Sequence, residues 1–274
     1  MTTPPLRPLT PQNWRHGAPV PGGGRDVPEE VPLALTFARE TYAVMMGTPA
    51  DLEDFAVGFS LSEGIIRAAS DIAALDVLDH ADGIELRMDL AQPQLAALTA
   101  RRRRILGPTG CGLCGIDSLA EAARPPRAVP EAGRFSAAEI TQAMRAMEPL
   151  QTLNRATRAV HAAALWLPGR GVVLLREDVG RHNALDKLLG AAALAGLDAS
   201  AGMVLLTSRV SIEMVQKAAV LGAPVLVAVS APTAHAVRLA EAAGMTLVAV
   251  ARPDGFEVFC GGHRIVGEAR AHVA

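Results

Sequence analysis

The sequence predicts an α/β protein of two lobes, a smaller N-terminal α+β lobe followed by a layered C-terminal domain with a partly parallel sheet. Three observations lead there. Continuous Val/Leu/Ala runs at 203–207, 225–229 and 246–250 alternate with helical stretches at 181–195, 210–221 and 232–243, the pattern of buried strands packed under helices. In the first half, short apolar runs at 31–35 and 42–46 and an alternating stretch at 72–88 read as strands. Between the halves, Pro125, Pro126 and Pro130 mark residues 124–133 as a connection.

Residues 1–25 read as a mobile tail, rich in proline and closed by Gly22-Gly23-Gly24. The N-terminal lobe then takes residues 26–130 and the C-terminal domain residues 131–274. In the first lobe a helix opens at Thr48-Pro49, with Asp51, Glu53 and Asp54 near the positive end of its dipole, and stops at Gly64. Asp82-Gly83 turns the chain within 72–88. A second helix is expected over 93–103 and a glycine-rich loop over 107–115. In the C-terminal domain, strands at 161–167 and 172–176 join at Pro168-Gly169. Gly222-Ala223-Pro224 ends the helix over 210–221, and Ser230 or its neighbour is expected to cap the helix over 232–243.

Composition narrows the function classes. Half of the 274 residues are hydrophobic and only 3% aromatic, so a large core is built from small aliphatic side chains. The formal charge of −2 excludes a chain that binds nucleic acid through overall charge. Its one basic run, Arg101-Arg102-Arg103-Arg104, reads either as a solvated helix end or as an anion-steering patch shortly before Cys111. Three cysteines do not make a disulfide scaffold. No signal peptide is expected, and no apolar run reaches the ~18 residues that a membrane span requires. A reducing cytoplasm with free thiols is the expected setting.

Thr109-Gly110-Cys111-Gly112-Leu113-Cys114-Gly115 places two thiols in C-x-x-C spacing among three glycines. Glycine clears side-chain obstruction, so a second molecule can approach the thiols closely. Three chemistries remain open from the loop alone. A zinc site would need two more ligands, for which Cys260 and His263 are the available pair. A dithiol/disulfide couple suits the spacing. A persulfide carrier would hold a sulfane sulfur on one cysteine while the other assists, by positioning or by attack.

Open α/β sheets bind ligands beyond the carboxyl ends of their strands. Here those ends carry Glu177-Asp178, Ser208-Arg209, Ser230-Ala231-Pro232 and Ala251-Arg252. Asp178, Arg181, His182, Ser208 and Arg252 are therefore candidate binding residues. Arg209 is a further candidate cation for an anionic ligand. His182 could bind a ligand or tune the protonation of the site.

Taken in order, several stretches resemble the FdhD family, the accessory sulfurtransferases of formate dehydrogenase. They are 44–53, 58–66, 109–115, 207–209, 213–217 and 229–233. The most specific stretch is Arg176-Glu177-Asp178-Val179-Gly180-Arg181-His182-Asn183-Ala184-Leu185-Asp186-Lys187-Leu188-Leu189-Gly190. The likeness covers nearly the whole chain after the tail. It implies a C-terminal domain like the cytidine-deaminase fold and a homodimer. It implies sulfur taken as a persulfide from a cysteine desulfurase and passed to molybdenum bis(molybdopterin guanine dinucleotide), the cofactor of formate dehydrogenase. The persulfide then falls on Cys111, with Cys114 beside it, and the cofactor segment on Val250, Ala251, Arg252, Pro253, Asp254 and Gly255. No resident metal is implied. One departure stands out: where the family often has Thr-Gly-Gly shortly before a histidine, this chain reads Thr157-Arg158-Ala159-Val160-His161.

Two rival classes are weighed against this. A non-catalytic chaperone would bind the cofactor without moving sulfur. A deaminase-like hydrolase would need H-x-E with P-C-x-x-C, but His161 is followed by Ala162-Ala163 and Gly110 precedes Cys111.

Overall fold

Period-two patterning and a few tight turns build the N-terminal half. The computed structural model describes residues 3–92, 94–96, 98 and 126–267. Strands β1 (Leu6–Leu9) and β4 (Arg25–Pro28) pair antiparallel, and β2 (Asn13–Arg15) and β3 (Ala18–Val20) form a hairpin between them. Residues 6–9, 13–15 and 18–20, expected to be part of a mobile tail, are paired in these strands. The strands are largely exposed and proline-bearing, so they carry no buried periodicity for a sequence reading to find. Their anchor is tertiary: Arg25 Nη2 donates to the Thr157 carbonyl at 3.0 Å.

Strands β5 (Val31–Phe37) and β6 (Glu40–Gly47) form a hairpin as expected, followed by helix α1 (Leu52–Ser62). Strands β7 (Ile72–His80) and β8 (Gly83–Leu90) then complete a four-stranded sheet of order β6-β5-β8-β7. Leu33, Leu35, Phe37, Leu86 and Met88 bury against Phe55, Ala56 and Phe59 of α1. That helix starts later than expected, because Asp51 takes a left-handed conformation (φ 52°) at its N-cap. Residues 92, 94–96 and 98 are helical. The rest of the helix expected over 93–103 lies outside the described residues.

The C-terminal half opens with β9 (Phe135–Ser136), α2 (Ala137–Met147) and α3 (Thr152–Thr157). Neither helix was anticipated, although Ser136 and Glu139 form the reciprocal capping box that S-x-x-E announces. The chain continues through β10 (His161–Leu167), β11 (Gly171–Asp178), α4 (Arg181–Leu194), β12 (Met203–Leu206), α5 (Ile212–Leu221) and β13 (Val225–Ala228). It ends with α6 (Ala234–Ala242), β14 (Thr246–Arg252), β15 (Gly255–Cys260) and β16 (Ile265–Val266). Thr233, not Ser230, caps α6, accepting from the Ala236 N–H at 3.2 Å.

Six of these strands form one sheet of order β11-β10-β12-β13-β14-β15. β12, β13 and β14 run parallel, while β10 and β15 are antiparallel to their neighbours. One face packs Leu185, Leu188, Met214, Val215 and Ala240 of α4, α5 and α6. The other packs Phe135, Ile140 and Met147 around Trp166. The two halves meet where α1 crosses α4 at backbone contact. A Cβ on Gly58 would fall 1.7 Å from the Asp186 carbonyl oxygen, and one on Gly190 would fall 1.9 Å from that of Asp54.

Candidate functional site

Because β11, β12 and β13 all run the same way, the helices after them begin at one edge of the sheet, and their unpaired N–H groups face that edge. Antiparallel β10 enters from the same edge, pairing His161 with Asp178. His161, the 178–182 turn, Ser208-Arg209 and the end of β14 therefore share this edge, as strand polarity in the sequence indicates. His161 is the member that the strand-end argument missed. The signal for it lay in the antiparallel hairpin at 161–178, which returns the start of one strand to the end of the next.

The edge is cationic and under-partnered. Among the described residues no carboxylate pairs with Arg181 or Arg209, and the Nε of Arg181 is buried without a hydrogen-bond partner. Burial, reinforced by the charges of Arg181 and Arg209, holds the His161 imidazole below its usual pKa. Burial also lowers His182, with Arg181 and Lys217 acting in the same direction against Glu213. The His182 Nε2 lies 3.3 Å from Glu213 Oε2 without the alignment of a hydrogen bond. On Glu213 the Ser211 hydroxyl and His182 outweigh burial, keeping its carboxyl below the usual range. Glu213 lies beside His182 and pairs with neither arginine, so two guanidiniums unpaired with any described carboxylate suit an anionic ligand.

Asp178 does not face this space. It is fully buried, paired with Lys187 Nζ at 2.7 Å, and accepts from the Thr48, Gly180 and Asn183 donors at 3.0, 2.7 and 3.1 Å. Its carboxylate is spent within the protein, so it shapes the turn before Arg181 instead of meeting a guanine edge. Ser208 is also buried, and its hydroxyl donates to the Arg209 carbonyl at 3.0 Å.

Residues 250–255 form the end of β14, a turn and the start of β15, where the pairing register slips between Ala249 and Arg252. Val250 sits at φ 52°, a conformation that β-branched residues rarely adopt. The Arg252 guanidinium folds back onto the Val229 and Ala251 carbonyls. From the other side, Arg145 Nη2 donates to the Pro253 carbonyl at 2.7 Å. A cavity of about 700 Å³ opens between α2 and this turn, lined by Gln142, Arg145, Asp254 and Phe256 among others. A second cavity of about 510 Å³ runs along β11 from Val172 to Glu177 and contains none of the candidate binding residues.

Cys111 and Cys114 lie outside the described residues. The second pair of the zinc alternative is engaged elsewhere: the Cys260 thiol is buried, with Sγ 3.4 Å from the Met245 carbonyl oxygen, and the His263 ring meets Glu131 Oε1 at 2.9 Å. Burial pushes the Cys260 thiol up, which makes it a poor thiolate.

The fold and this edge together define an α/β protein with a cationic cluster at the strand ends. The FdhD/NarQ family model matches residues 28–266, and the chain belongs to that family. It is 51% identical over 256 residues to the sulfur carrier protein FdhD of Agrobacterium fabrum, covering 92% of this chain and 93% of that one. It is 49% identical over 257 residues to the sulfur carrier protein FdhD of Cupriavidus necator, covering 93% and 88%. Among solved structures, a putative formate dehydrogenase accessory protein from Desulfotalea psychrophila superposes with a TM-score of 0.73 at 27% identity, over 96% of this chain and all of that one.

Proposed function

We propose that this chain is a sulfur carrier of the formate dehydrogenase accessory type, loaded by a cysteine desulfurase and acting on molybdenum bis(molybdopterin guanine dinucleotide) as substrate. The observation that carries this reading is the under-partnered cationic edge of Arg181 and Arg209, in a chain that belongs to this family. A cofactor bearing two pyrophosphates supplies the charge that edge lacks. Arg181, Arg209 and Arg252 bind phosphate oxygens, and the 250–255 turn, with the Asp254 carboxylate, meets a guanine. His182 and Ser208 line the same edge, and Asp178 holds the turn that presents them. The protein works in the cytoplasm as a homodimer. Its two-lobed division and the cytidine-deaminase likeness of its C-terminal layers belong to the same reading.

In the loading step the Cys111 thiolate attacks the terminal sulfur of the desulfurase persulfide. A new S–S bond forms on Cys111, the bond to the desulfurase cysteine breaks, and that cysteine leaves as a thiolate. In delivery the Cys114 thiolate attacks Cys111 Sγ. The two cysteines become a disulfide and the terminal sulfur leaves as sulfide for the molybdenum. A thiol reductant then restores both cysteines. Without Cys114 an external thiol can attack Cys111 Sγ in its place and release the same sulfide, so Cys111→Ala abolishes activation of apo-formate dehydrogenase and Cys114→Ala weakens it less. A folded Cys111→Ala protein that activates as well as the parent contradicts the assignment. Retained cofactor binding with lost transfer separates a carrier from a chaperone that only holds the cofactor.

A further inference from the structure

We propose that Thr48 is a positioning residue that sets the anion-binding edge from the opposite half of the molecule. Thr48 belongs to the N-terminal half, is fully buried, and directs its N–H, its hydroxyl oxygen and its carbonyl to one short stretch of the C-terminal half, the carbonyl also accepting locally from the Ala50 N–H at 2.8 Å. Its N–H donates to Asp178 Oδ2 at 3.0 Å, its hydroxyl oxygen accepts from the Val179 N–H at 3.1 Å, and its carbonyl accepts from Lys187 Nζ at 2.9 Å. Asn183 reinforces the joint by donating both to the Met46 carbonyl at 2.8 Å and to Asp178 Oδ1 at 3.1 Å.

The location gives the joint its consequence. Asp178 and Val179 lead directly into Gly180, the N-cap of α4, and then into Arg181 and His182. An Arg side chain whose Nε is buried without a partner is aimed by its backbone, not by a salt bridge. The backbone at 178–180 is held from outside its own sheet by Thr48. The bond to Val179 is part-buried, and an N–H shielded from water is costly to leave unpaired, so Val179 is held to the Thr48 hydroxyl. The same half carries the chain onward toward Cys111. Among these contacts Thr48 is the one that holds the turn leading to Arg181 through the Val179 N–H. This inference rests on the anion-site reading above.

Thr48→Val keeps the shape and the backbone bonds but removes the acceptor for Val179, whereas Thr48→Ser restores it. Calorimetry with GDP should show affinity at least fivefold weaker for Thr48→Val and within twofold of the parent for Thr48→Ser. Ser60→Ala is the stability control. Its hydroxyl bonds Ala56 and Met88 within the N-terminal half, so it should lower the melting temperature without changing GDP affinity. Independently of any variant, hydrogen exchange at the Val179 amide of the parent should slow when GDP saturates it. GDP affinity unchanged in Thr48→Val, a loss that Ser does not rescue, an equal loss in Ser60→Ala, or unaltered Val179 exchange each overturns the positioning role alone. A parent that leaves millimolar GDP unbound overturns the anion site itself, and the positioning role with it.

Discussion

Arg252 stands at the end of β14, hydrogen-bonded to two backbone carbonyls of its own protein. Those carbonyls are neutral acceptors, and a phosphate is a better partner for the guanidinium. A bond to a charged group contributes about 1.5–3 kcal/mol, so Arg252→Ala should weaken GDP binding by roughly tenfold or more. Calorimetry measures this, and equal affinity in parent and variant would misplace the pocket. His161 yields a prediction with a sign. It is neutral when the site is empty because burial and two guanidiniums disfavour its proton. An anion on those guanidiniums restores the proton, so binding takes up protons and tightens as pH falls through about 6.5. Comparing GDP affinity in the parent and in His161→Asn across that range removes the nucleotide's own titration, and parallel curves contradict the coupling. Folding carries the opposite sign. The unfolded histidine binds the proton more readily, so stability falls as pH drops below about 6.5. Arg158 closes α3 at φ 58°, a conformation that glycine takes without strain. Arg158→Gly should therefore stabilise the protein by about 1 kcal/mol, read as a raised urea midpoint.

At the scale of elements, the sequence was most legible where burial is one-sided or complete. The hairpin of β5 and β6, the Asp82-Gly83 turn, and the run from β10 to β14 follow their hydrophobic patterns closely. The exposed strands β1 to β4 and helix α2 were missed for physical reasons. The former are held by pairing and by one arginine, with no buried face to betray them. The latter buries only Ile140, Ala143 and Met147, and its capping box was the single local cue. The motifs themselves proved harder to read than the elements. Much of the stretch quoted as site chemistry builds the joint between halves instead: Asp178, Asn183 and Lys187 meet Thr48 and Met46. Lys217 meets Asp186 and Ser62. Pattern alone cannot tell a buried ion pair that joins elements from a charge offered to a ligand. Gly58 and Gly190 show the same lesson, since their role is the close crossing of α1 and α4. Gly190→Ala would set a Cβ against the Asp54 carbonyl and should cost about 3 kcal/mol, measured as a lowered melting temperature. A melting temperature unchanged from the parent would mean that the helices can separate freely.

At the scale of the whole molecule, hydrogen bonds from Thr48 and Ser62 to two buried lysine–carboxylate pairs, together with a glycine crossing, fasten the N-terminal half to the sheet whose edge gathers the arginines. Those contacts leave the two halves little freedom relative to one another. Among the described residues no helix is long and apolar enough to cross a membrane. The proposed function requires sulfur to reside on Cys111 before it reaches the cofactor. The direct measurement is intact-protein and peptide mass spectrometry after incubation with a cysteine desulfurase and cysteine, without added reductant. The account predicts a gain of one sulfur atom, localised to Cys111, reversed by a thiol reductant and absent in Cys111→Ala. The same gain in Cys111→Ala, or a gain localised to Cys260, would contradict it.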